Sequence, residues 1–197
     1  MAELPMYDDK SALVVVDVQN DFADPNGSLY VEGGEQVVAS ANREIAQATS
    51  ADAFVVYTQD WHPPTTPHFA VHGGKWPVHC VRSTWGAELH PELKVVGPQI
   101  RKATGPEDGY SGFSVEHLPT GERRGTGLDD VLRARGIERI VIVGLATDYC
   151  VKETALDGLR LGYDVTVVRE AAGAVELEPG DGARALAAIS EAGARLV

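Results

Sequence analysis

The chain has 197 residues, 44% of them hydrophobic, a length that suits one well-packed domain spanning residues 1–197 and falls short of two ordinary ones. Seventeen Lys plus Arg against 29 Asp plus Glu give a net charge of −12, which repels phosphate backbones and anionic lipid, so neither nucleic acid nor a membrane is expected as a partner. No basic region followed by an apolar stretch opens the sequence, and no apolar run approaches the roughly 20 residues of a membrane span, so a cytoplasmic, soluble protein is expected.

Residues 12–18 (Ala-Leu-Val-Val-Val-Asp-Val) read as a strand buried on both faces of a parallel sheet, ending around Asp17 beside the polar Gln19, Asn20 and Asp21. A helical stretch near 35–48 and a second apolar run at 53–57 complete a βαβ opening. Between Asp60 and Ile100 the periodicity breaks down into an irregular segment dense in His, Trp, Pro and Gly, the kind of excursion that commonly carries function. The Glu-Arg-Arg-Gly cluster at 122–125 reads as a solvated turn. A predicted helix at 127–135, a strand at 139–145, a helix at 149–161, a strand at 165–168 and a helix at 182–192 follow. The alternation predicts an α/β fold: a doubly wound, mostly parallel sheet flanked by helices, whose ligands bind beyond the carboxyl ends of the strands. Such a fold can assemble through its helices or edges, and a homo-oligomer stays open.

Only two cysteines occur, which is no disulfide framework. Cys150 closes Gly-Leu-Ala-Thr-Asp-Tyr-Cys (144–150), which leaves a buried strand and opens a helix with the thiol in its first turn. Unpaired N–H groups there favour thiolate over thiol and can receive charge developing on a substrate oxygen. Taken alone, a cysteine so placed more often packs helix against strand. Asp17, at the end of an apolar strand, needs a partner, and Lys102 in the short 100–103 segment can supply one near both Asp17 and Cys150. Cys80 lacks the strand-to-helix setting and reads as a buried structural thiol.

Asp60 and His62 sit two apart, so an extended chain projects both to one side, and His68, His72 and His79 follow. Imidazoles and a carboxylate from one loop suit a divalent metal such as zinc, although a polar loop can carry histidines without one. Phe22, Trp76 and Tyr110 lie in or beside these segments and are candidates either for core packing or for the wall of a flat-ring pocket.

Together, Val-Asp-Val-Gln-Asn-Asp-Phe (16–22), Asp-Trp-His (60–62), Trp-Pro-Val-His-Cys (76–80), Lys102 and the 144–150 motif resemble the nicotinamidase/pyrazinamidase family of the isochorismatase-like hydrolases, over about residues 12–168. The resemblance implies a catalytic triad of Asp17, Lys102 and Cys150. It implies metal ligands Asp60, His62 and His79, with His68 as an additional ligand in some members, for one divalent transition metal (zinc, iron or manganese). It further implies a cis peptide between Leu145 and Ala146, an oxyanion hole from the N–H groups of Ala146 and Cys150, and Phe22, Trp76 and Tyr110 around a pyridine ring. The implied reaction is hydrolysis of nicotinamide, and of pyrazinamide, through a thioester on Cys150, a step of pyridine nucleotide salvage. The rivals are another amidase of the superfamily, such as an N-carbamoyl amidohydrolase, isochorismatase itself, which Cys150 disfavours, and a silent metal- or ligand-binding module.

Overall fold

β1 (Ser11–Val16) is buried along its whole length, because its Val-rich run has to cover both faces of a sheet. The computed structural model describes residues 6–118 and 120–197. A single helical turn, α1 (Asn20–Ala23), and the long α2 (Gly34–Ser50) lead to β2 (Phe54–Asp60). Residues 61–98 then run without α-helix or strand, broken only by 3₁₀ turns at Ala70–His72 and Trp85–Ala87. β3 (Gln99–Lys102) returns to the sheet, and β4 (Ser114–His117) and β5 (Glu122–Gly125) form a separate antiparallel pair. α3 (Leu128–Arg133), β6 (Arg139–Leu145), a π-helical turn (Thr147–Val151), α4 (Lys152–Arg160), β7 (Asp164–Gly173), α5 (Asp181–Glu191) and β8 (Arg195–Leu196) complete the order.

The six-stranded sheet runs β3-β2-β1-β6-β7-β8, parallel at every pairing. The period-2 alternation of β1 sends Leu13 and Val15 to one face, where α2 packs Val37, Val38, Ala41 and Ile45. Ala12, Val14 and Val16 go to the other, with Leu128 and Leu132 of α3, Ala155 of α4 and Ile189 of α5. This is the doubly wound α/β sheet expected from the alternation of elements. Its order reverses between β1 and β6, and the crevice at their carboxyl ends is where such sheets bind ligands.

One local reading is corrected, and one segment left unassigned is placed. The 122–125 cluster is strand β5, all four residues exposed, not a solvated turn. The segment around Ile100 is an edge strand of the main sheet, in register with β2 so that Lys102 lies opposite Asp60.

Candidate active site

Asp17 follows the last residue of β1, with a left-handed φ of 48° that few non-glycine residues adopt and a completely buried side chain. Its Oδ1 accepts a 2.7 Å hydrogen bond from Thr58 Oγ1, and its Oδ2 lies 2.9 Å from Lys102 Nζ. Lys102 is buried too, its ammonium delivered inward from the end of the edge strand. There Nζ meets Asp60 Oδ1 at 2.6 Å, Gly109 O at 2.5 Å and Cys150 Sγ at 3.6 Å. The structure thus brings Asp17, Lys102 and Cys150 together from three strand ends, and adds Asp60 to the same cluster. Ligand atoms of Asp17, Asp60 and Cys150 all lie within 4.8 Å of one another. The residues after Lys102 and His79, Ala103 and Cys80, are left-handed as well, at φ 51° and 44°. Backbone strain of this sort persists where surrounding structure over-determines it, and here it borders the site.

The charges settle unequally. Burial pushes the Asp17 carboxyl above its usual range, which the Lys102 ammonium only partly offsets. Asp60 is buried as well, but Lys102 together with the His62 and His79 rings outweighs that and holds it well below the carboxylate range. Burial alone would discharge Lys102, yet Asp17 and Asp60 keep it firmly protonated. Burial drives the Cys150 thiol well above its ordinary value, against the pull of Lys102. The resting thiol therefore keeps its proton, where the unpaired N–H groups at the helix end were expected to favour thiolate; Lys102 pulls that way, but burial outweighs it.

Cys150 owes its position to a sharp exit from β6. Gly144 has φ 117°, and a Cβ on it would lie 2.0 Å from the carbonyl oxygen of Val16, so only glycine lets β6 run so close to β1 there. The Leu145–Ala146 peptide is cis, and the turn that follows is π-helical before α4 begins. Asp148 secures it by accepting the N–H groups of Val175 and Glu176 at 3.0 and 2.9 Å, which ties the segment after β7 to the site. Gln19 performs the matching task at β2. Its side chain receives Asp60 N–H at 2.8 Å and donates to the carbonyl oxygens of Asp60 and Ala87. Asp21 Oδ2 accepts Cys80 N–H at 2.7 Å and so anchors the backbone beside His79.

His62, His68 and His79 are all buried, with ligand atoms within 4.8 Å of one another, and Asp60 Oδ2 lies 3.7 Å from His62 Nε2. Both ring nitrogens of His62 are buried without a hydrogen-bond partner, a costly arrangement unless something else satisfies them. His79 Nδ1 engages Pro77 O at 2.7 Å and His68 Nδ1 engages the Asp108 carboxylate, which leaves Nε2 of each ring free. Burial, with the neighbouring His62 ring, pushes His79 down to about 4, so it is neutral and can ligate at neutral pH. Three imidazoles with a carboxylate at their edge fit a divalent transition metal. His72, which lies between His68 and His79, is exposed and outside the cluster.

A cavity of about 340 Å³, solvent at its mouth included, joins the two clusters and reaches Asp60, His68, His79, Ala146 and Cys150. Phe22, Trp76 and Tyr110 all line it. Leu29, Tyr149 and Val175 line it as well and were not singled out in the sequence. Tyr149 was visible inside the 144–150 motif, but no spacing rule distinguishes it, and nothing local marks Asp108 as the partner of His68. Cys80 is fully buried and its thiol sits 3.9 Å from Gly86 O, in keeping with a structural role.

A parallel sheet of this order with a buried thiol, lysine and carboxylate at its switch point defines a doubly wound α/β enzyme with a thiol-centred site, and the isochorismatase domain model matches residues 11–197, so the chain belongs to the isochorismatase family. Within it, the nicotinamidase of Escherichia coli (strain K12) is 40% identical over 94% of this chain and 93% of its own length. The pyrazinamidase of Pyrococcus horikoshii in complex with zinc superposes with a TM-score of 0.85 at 39% identity, covering 95% of this chain and 98% of that one. PnC1 from L. infantum in complex with nicotinate gives a TM-score of 0.87 at 34% identity, covering 98% and 95%.

Proposed function

We propose that the protein is a nicotinamidase: it hydrolyses nicotinamide to nicotinate and ammonia, and pyrazinamide likewise, with Cys150 as nucleophile. The observation that carries this reading is the Cys150 thiol 3.6 Å from a lysine that also bridges two buried carboxylates, at the floor of an aromatic-walled cavity. The relatives that act on nicotinamide or pyrazinamide match nearly the whole chain.

Burial raises the Asp17 carboxyl and the Cys150 thiol alike, so the Asp17 carboxylate is a stronger base than a free one, and transfer of the proton from Sγ to it moves negative charge within the cluster and creates none. Sγ attacks the carboxamide carbon, and the carbonyl oxygen becomes an oxyanion received by the N–H groups of Ala146 and Cys150. Asp17 returns its proton to the amide nitrogen, the C–N bond breaks and ammonia leaves a thioester on Cys150. A water then gives a proton to Asp17 and attacks the thioester carbon. The C–S bond breaks, Asp17 reprotonates the sulfur, and nicotinic acid departs, losing its remaining proton to solvent as nicotinate. Lys102 stays charged throughout and holds thiolate and carboxylate in register. His62, His68, His79 and Asp60 would hold zinc, iron or manganese, which supplies a Lewis-acid anchor for the ring nitrogen and a means of activating water. Phe22, Trp76 and Tyr110 hold the ring flat over the sulfur.

The test is ammonia release from nicotinamide, pyrazinamide and several N-carbamoyl compounds by the metal-replete protein and by Cys150→Ala. Turnover of the pyridine and pyrazine amides, lost in the variant, is the expected result. Preference for the N-carbamoyl compounds would overturn the substrate, and retained turnover in Cys150→Ala would overturn the nucleophile.

A further inference from the structure

Lys75 has no part in the chemistry above, yet its ammonium touches two of the residues that line the same cavity, Trp76 and Tyr149. It is exposed, but its backbone is not free to wander. Ala70 N–H donates to Trp76 O at 2.7 Å and Gly74 N–H to Phe69 O at 2.9 Å, closing a tight turn around it. A Cβ on Gly74 would lie 2.2 Å from His68 O, so the turn admits only glycine beside Lys75. From this turn the ammonium donates a 2.8 Å hydrogen bond to Tyr149 Oη. It also lies 4.9 Å from the Trp76 ring and 4.8 Å from the Tyr149 ring, within the range of cation–π attraction to both.

Those two rings meet edge to face with centroids 4.8 Å apart, and Trp76 donates its indole N–H to Tyr110 Oη at 2.8 Å. Tyr149 and Tyr110 are themselves 5.6 Å apart. Trp76, Tyr110 and Tyr149 all line the cavity above Cys150. Trp76 comes from the irregular loop and Tyr149 from the nucleophile's own turn, so the width of the slot depends on what joins these two segments. Lys75 is the polar link between them.

We propose that Lys75 is a specificity-determining residue: by clamping Trp76 against Tyr149 it limits the cavity to amides of a single flat heteroaromatic ring and excludes fused bicyclic ones. The proposal rests on the nicotinamidase reading for its choice of substrates. The test compares nicotinamide with quinoline-3-carboxamide in the metal-replete wild type, Lys75→Met, Lys75→Arg and Tyr149→Phe. Lys75→Met should raise the bicyclic-to-monocyclic ratio of kcat/KM by about tenfold, chiefly through KM, the scale on which pocket size discriminates. Tyr149→Phe, which keeps the ring and removes the acceptor, should move the ratio the same way, and Lys75→Arg should hold it near wild type. Calorimetric binding of nicotinate and quinoline-3-carboxylate gives the same ratio without turnover, and any charge lost at residue 75 cancels in it. A wild type that releases no ammonia from nicotinamide would sink the nicotinamidase reading alone, since the binding ratio still judges Lys75. Unchanged ratios in both Lys75→Met and Tyr149→Phe would overturn the clamp.

Discussion

Lys102 neutralises two carboxylates that would otherwise face each other in the interior, and the cluster holds only as a set. Removing one partner of a buried ionic group leaves the others uncompensated, at a cost of about 3–5 kcal/mol. Lys102→Met should therefore lower the unfolding free energy from urea titration by that order as well as abolish turnover, and an unfolding curve superimposable on wild type would contradict the burial described. The His79 ring gives a second expectation. Its pKa falls from the usual 6.5 to about 4 on folding, so between those values the unfolded chain binds more protons and stability rises with pH. With the metal stripped by a chelator, the thermal midpoint should climb as the pH is raised from about 4 to about 6.5 and level off above that, as far as His79 contributes. Asp17 and Cys150 were legible because strand ends and a strand-to-helix turn mark themselves in sequence. A lysine in a short segment ordinarily reads as a surface charge, and only the neighbouring motifs pointed inward. Lys75, Asp108 and Tyr149 carried no such mark, because their partners lie 74, 40 and 74 positions away.

Among the elements, the β-branched runs of β1 and β6 announced themselves, since a strand covered on both faces has no other composition. The β4–β5 pair did not, because its second strand is wholly exposed and shows no apolar alternation. Beyond its backbone ladder, an ionic cluster ties it to α4. Arg123 of β5 and Ser114 of β4 both bond Asp157 of α4, whose other oxygen also meets Arg160. Despite partial burial, the Ser114 hydroxyl and Arg123 hold Asp157 below its usual 3.8, so its contribution is complete above that pH and is lost as the pH falls through the lower folded value. Asp157→Ala should speed proteolysis and hydrogen exchange within 114–125 at neutral pH without displacing the main sheet. Equal protection in the variant would show that the ion pairs are incidental. At the other end of β6, Gly144→Ala puts a methyl group against the Val16 carbonyl. Loss of activity should then accompany a lowered melting temperature even though no reacting group is changed.

At the scale of the whole molecule the charge of −12 acts on what enters and what leaves. Nicotinamide is neutral, so steering is absent and kcat/KM should change less than about twofold between low and high ionic strength. Nicotinate is an anion in an acidic surround, so its inhibition constant should fall as salt screens the repulsion. A strong salt dependence for the neutral amide would show that a local field, not the net charge, governs access. The sheet order has a further consequence, in time. β1 pairs on one side with the early β2, but on the other it waits for β6, Ser11 lying opposite Arg139. Base and ammonium belong to the segment that ends with β3, while the thiol joins them only when this distant strand inserts, and such non-local pairings form late. During refolding, recovery of ammonia release should trail the gain of secondary structure. A newly made chain is then chemically mute until its sheet is whole, and its first turnover marks the end of assembly.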